Sequence, residues 1–92
     1  MRVIGIDPGI NKVGYGVIDE NLKVIDSGVF IPSLKLKFEN KIEFLLENIE
    51  TLIEKFLPEF ISIEEIYVAK NARIALKIGI FIGGIIGLSI SK

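Results

Sequence analysis

The chain has 92 residues, half of them hydrophobic and a quarter charged, enough for one small folded unit and too few for a second core. It has neither cysteine nor histidine. That excludes disulfides, thiolate nucleophiles, the usual zinc sites and any Ser-His-Asp arrangement, so carboxylates must carry most of any chemistry.

The net charge of −1 is unevenly spread: residues 1–37 carry +1, residues 38–66 carry −6, and residues 67–92 carry +4 with no acid. Arg2 to Asp7 is β-branched and apolar and is broken by Pro8-Gly9, the pattern of a buried strand ending in a turn. Val13 to Ile18 predicts a second strand, with Gly14 and Gly16 flanking Tyr15 where missing side chains permit a close backbone approach. A turn containing Asn21 follows. Val24 to Ile31 predicts a third strand, interrupted by Ser27-Gly28 and stopped at Pro32. Three short strands joined by tight turns make an antiparallel meander.

Phe38, Ile42, Leu45, Leu46, Ile49, Leu52, Ile53 and Phe56 then recur at three- and four-residue steps. Glu39, Glu43, Glu47, Glu50 and Glu54 fill the opposite side, so an amphipathic helix begins between Leu34 and Phe38 and ends before Pro58. Phe60 to Ile63 predicts a short buried strand running into Glu64-Glu65. A second helix is expected from Asn71, a reasonable N-cap, to about Ile90, with Lys70, Arg73 and Lys77 along one face.

The uncharged run from Ile78 to Ser91 has fourteen residues, four of them glycine. A bilayer needs about twenty, so this run reads as a core or subunit-interface helix, and no membrane partner is expected. Gly79, Gly83 and Gly87 fall at the spacing that lets two helices approach closely. The N-terminus reaches Asp7 too soon for a signal peptide. A cytoplasmic protein is the expectation.

The order βββαβα places Asp7 at the end of the first strand and Glu64 at the end of the fourth. As parallel neighbours joined by a right-handed crossover, both acids emerge on the edge where open α/β sheets place their sites. Two acids held together repel unless a cation lies between them or one is protonated. Mg²⁺ suits few carboxylates plus phosphate oxygens, which points to phosphodiester hydrolysis of the kind assisted by two ions about 4 Å apart. Singly, each acid has a plainer reading. An acid before Pro-Gly often bonds the turn's own backbone, and Glu64 beside Glu65 makes an ordinary solvated strand end.

The motifs Gly5-Ile6-Asp7-Pro8-Gly9, Gly14-Tyr15-Gly16-Val17-Ile18, Ile63-Glu64-Glu65-Ile66-Tyr67, and Ala69-Lys70-Asn71 through Ala75-Leu76-Lys77-Ile78-Gly79 occur in that order. Together they closely resemble the RuvC-type Holliday-junction resolvase family, in register from residue 1 to about 79. The resemblance implies an α/β, RNase H-like fold: a three-stranded antiparallel meander, a parallel fourth strand and two helices. It also implies a homodimer through the last helix, nicking of four-way DNA junctions with Mg²⁺ (Mn²⁺ as a substitute), and cooperation with a branch-migration motor.

By that resemblance Asp7 and Glu64 are the first two metal-binding catalytic acids. Tyr67 matches an aromatic position beside the junction crossover, where a ring offers unpaired bases a stacking platform. Lys70, Asn71, Arg73 and Lys77 become the DNA-binding side, with salt-dependent phosphate contacts from the cations.

Two features depart from the family pattern. Ile82 stands where an arginine is expected between Gly79 and Gly83. Family members also continue through a fifth strand, a lysine-bearing segment and a final helix with a second acidic pair, so residues 1–92 are expected to be an incomplete domain with half of a metal site. Two other readings stay open. One is a non-catalytic DNA-binding or dimerisation module derived from a resolvase. The other is a nucleotide-binding fragment of the actin-like ATPase type, whose Gly-Ile-Asp-x-Gly turn cradles phosphate; that type wants Thr or Ser where this chain has Ile10-Asn11.

Overall fold

The computed structural model describes residues 1–64 and 72–91. In chain order these form β1 (Arg2–Asp7), β2 (Val13–Asp19), β3 (Val24–Phe30), α1 (Phe38–Phe56), β4 (Phe60–Ile63) and α2 (Ala72–Ser91). The strands make one sheet in the order β3-β2-β1-β4. β1 and β2 pair antiparallel, as do β2 and β3, whereas β1 and β4 run parallel. The expected meander and crossover are therefore present.

Element boundaries shift where pairing or capping overrides local preference. β2 runs one residue beyond Ile18 because Asp19 still pairs with Arg2. β3 ends at Phe30 rather than Ile31, since Phe30 faces Val13 and the partner strand begins there. Asp19 also shapes the β2–β3 turn: its Oδ1 accepts the amides of Asn21 and Lys23, with Leu22 at a φ of 61°.

α1 starts at the last of the expected positions because Ser33 closes a turn ahead of it. The Ser33 hydroxyl accepts the Lys35 amide and the Ser33 carbonyl accepts the Leu36 amide. At its other end Leu57 adopts the left-handed conformation and its amide donates to Ile53 O. The following Pro58 cannot continue a helix. The expected N-cap of α2, Asn71, lies outside the described residues.

Strand alternation sends Ile4, Ile6, Val13 and Val17 to one face of the sheet, where they form the core with Leu45, Ile49, Leu52 and Ile53 of α1 and Phe81 and Ile85 of α2. Both helices thus cover the same face. α2 is long and apolar enough to cross a membrane by length and composition. Here it packs Phe81 and Ile85, both fully buried, into the core. It meets α1 at Gly84, where a Cβ would come within 3.0 Å of Leu46 Cδ1. Gly79, Gly83 and Gly87 have open space around them instead.

Candidate active site

The opposite face of the sheet holds the two acids. Ile6 pairs with Ile63, so Asp7 and Glu64 are the next neighbours on adjacent parallel strands. The Glu64 amide donates to Ile6 O at 3.0 Å, extending the ladder one residue past β4. Alternation directs both side chains away from the helices, and both are exposed.

The two carboxyl groups share a hydrogen bond. That bond, then the negative charge of Asp7, then desolvation raise the pKa of Glu64 above its ordinary value of 4.5. A cation between two such carboxylates relieves the same repulsion. A shallow depression of about 490 Å³ opens in front of the acids, floored by Gly5, Gly14, Gly16 and Ser62. No glycine in the described residues has positive φ, so these three are not demanded by backbone conformation. Their effect is to leave the floor flat. A Cβ on Gly16 would meet nothing within 4 Å, and one on Gly14 would stand 3.9 Å from the Asp7 Cβ, inside the depression.

The donor set suits a hard divalent cation: two carboxylates, already adjacent, with room on the open side for oxygens from a substrate. They make two ligands, and among the described residues no group of three or more acids, histidines or cysteines gathers to hold a metal. Of the other expected site residues, Tyr67, Lys70 and Asn71 lie outside the described residues. Arg73 is exposed in the first turn of α2. Lys77, one turn later, is half-buried with its Nζ 5.4 Å from the centre of the Phe38 ring. Ile82, at the arginine position of the family pattern, is half-buried. The glycine floor was legible as alternating glycines in β2, but its position before the acids depends on the β1–β2–β4 register.

Residues 3–92 match the family model of the crossover junction endodeoxyribonuclease RuvC. The chain belongs to the RuvC family. A RuvC of Fusobacterium nucleatum is 38% identical over 81 residues, covering 85% of this chain and 43% of that protein. A RuvC of Trichlorobacter lovleyi is 33% identical over 82 residues, covering 86% and 46% respectively. The chain thus spans about half the length of the curated relatives it matches. Among solved structures, T. thermophilus RuvC in complex with a Holliday junction substrate superposes with a TM-score of 0.90 at 23% identity, over 99% of this chain and 59% of that one. The RuvC family match and this superposition establish the RNase H-like fold, and the match spans both the Asp7 turn and Glu64.

Proposed function

We propose that residues 1–92 are the N-terminal part of a Holliday-junction resolving endonuclease, a cytoplasmic enzyme of recombination and repair that hydrolyses phosphodiesters at four-way DNA junctions. The observation that carries this reading is the Asp7–Glu64 pair, side by side on an open, glycine-floored sheet face in a chain matching the RuvC family. Asp7 and Glu64 act as metal-ligating catalytic acids for Mg²⁺, with Mn²⁺ as a substitute. When bound, that ion polarises the phosphodiester and activates water.

The flat floor lets a phosphate approach both carboxylates. Tyr67 is assigned to stacking beside the crossover. Lys70, Asn71, Arg73 and Lys77 are assigned to DNA contacts. The open Gly79–Gly83–Gly87 ridge supports a homodimer through α2, because small residues let two such helices approach closely. Cooperation with a branch-migration motor follows from the same family reading.

The test is a nicking assay on a labelled four-way junction with Mg²⁺, beside linear duplex and Asp7→Asn, after circular dichroism shows each protein folded. Paired cuts at the junction that vanish in Asp7→Asn would show that residues 1–92 complete the metal site, as across a dimer. Junction binding without cuts would instead support the recognition-module reading, which Ile82 favours. A folded chain that neither binds nor cuts would overturn both.

A further inference from the structure

The depression in front of Asp7 and Glu64 has a further polar side chain that the acid pair leaves unused. Of the other residues around it, Tyr15 pairs with Ile6 and so turns its ring to the core face, where its hydroxyl donates to Asp26 Oδ2 at 3.1 Å. The Ser62 hydroxyl remains.

Strand register gives Ser62 a defined place. Gly5 pairs with Ser62 on one side and with Gly16 on the other, and Gly16 pairs with Ser27. A row of serine, glycine, glycine and serine therefore crosses the open face of the sheet, with a hydroxyl at each end and no side chain between them. These two serines differ from the other three. The Ser33 hydroxyl accepts the Lys35 amide, and those of Ser89 and Ser91 donate to Ile85 O and Leu88 O. Among the described residues, neither the Ser27 nor the Ser62 hydroxyl has a hydrogen-bond partner. Ser62 stands at the acid end of the row, on the same face as Glu64 and two residues before it. Ser27 lies three strands away on β3, about 14 Å along the row.

Resting on the reading of Asp7 and Glu64 as ligands of a divalent cation, we propose that Ser62 is a positioning residue for a water held by that cation. Two carboxylates fill only part of the octahedron that Mg²⁺ demands, and Mg²⁺ keeps several waters. A water polarised by an ion is a strong donor, and the Ser62 oxygen is an uncommitted acceptor in the same depression. Two residues along a strand span about 6.6 Å, so the hydroxyl works through such a water and not as a ligand. Outer groups of this kind orient what the metal holds and commonly change its affinity by about 10–100-fold.

Mn²⁺ is the probe, titrated into the 92-residue chain without DNA, with free Mn²⁺ read by electron paramagnetic resonance. Ser62→Ala is expected to weaken binding about 10-fold, with an unchanged melting temperature in EDTA. Ser62→Thr, which restores the hydroxyl, should bind as wild type does, and so should Ser27→Ala at the far end of the row. A merely structural role for Ser62 predicts instead a loss that threonine does not rescue, or one that comes with a lower melting temperature; either would overturn the proposal. An equal loss in Ser27→Ala would do the same, because the effect would then belong to the whole floor. Wild-type affinity in Ser62→Ala, with binding lost in Glu64→Gln, would remove the serine and leave the acid pair standing. A wild-type chain that binds no Mn²⁺, or a Glu64→Gln variant that binds it equally well, would sink the cation reading and the serine's role together.

Discussion

Glu64 carries the pH dependence of the acid pair. Its pKa is raised in the fold by the hydrogen bond with Asp7 and by the charge of Asp7, so the folded chain holds a proton that the unfolded chain releases more readily. Without metal, stability should therefore fall as pH rises from the ordinary 4.5 through the raised value. Glu64→Gln should lack that step. Melting temperatures of both proteins across this range in EDTA give the comparison, and adding Mg²⁺ at neutral pH should recover the wild-type loss. Identical pH profiles would contradict the pairing.

Tyr15 makes a second residue-level case. Its ring stacks on Phe30 at 5.0 Å between centroids, and its hydroxyl donates to Asp26 Oδ2 at 3.1 Å. The ring lies across Gly28, where a Cβ would come within 2.9 Å of it. Gly28 is thus a seat for an aromatic ring rather than a break in β3. Because Phe30 and Asp26 hold the ring from both ends, Gly28→Ala should cost about 1–3 kcal/mol, as overpacking does. The shift of the urea midpoint measures it.

Among the elements, α2 turns the glycine pattern into two different surfaces. Gly84 meets Leu46 of α1, while Gly79, Gly83 and Gly87 look onto open space. The spacing was legible in the sequence; which glycines the core uses was not, because α2 rotates to bury Phe81 and Ile85. Alanine fits the open positions sterically and raises helix propensity by about 0.5–1 kcal/mol each. Gly79→Ala/Gly83→Ala should accordingly raise melting temperature at low protein concentration. If two α2 helices meet along this ridge, the added methyls hold them apart, so sedimentation equilibrium should show weaker self-association in the same variant. Unchanged association would remove the ridge from the interface.

The fold as a unit depends on a small core in which one helix supplies two of the fully buried side chains, Phe81 and Ile85. Phe81→Ala should cost about 3–5 kcal/mol. A domain of this size has only about 5–15 kcal/mol in total, and the short chain sits low in that range. Circular dichroism should show Phe81→Ala substantially unfolded at 25 °C, while the exposed Ile90→Ala keeps its spectrum.

Alternating and helical hydrophobic periods placed β1 through β4 and α1 to within a residue or two, because burying one face of a regular element leaves its period in the residue order. Asp7 and Glu64 were legible as strand-end acids for the same reason. Their hydrogen bond, the glycine floor before them, and the contacts of Lys41 with Asn11 and of Lys77 with Phe38 were not. Lys41 sits in a segment whose summed charge is strongly acidic, and a sum along the chain cannot register its contact with Asn11 of another segment. Periodicity reports which face of an element is buried. Distances between elements are set by strand register and helix rotation, and those exist only once the sheet has paired and both helices have packed on one side of it.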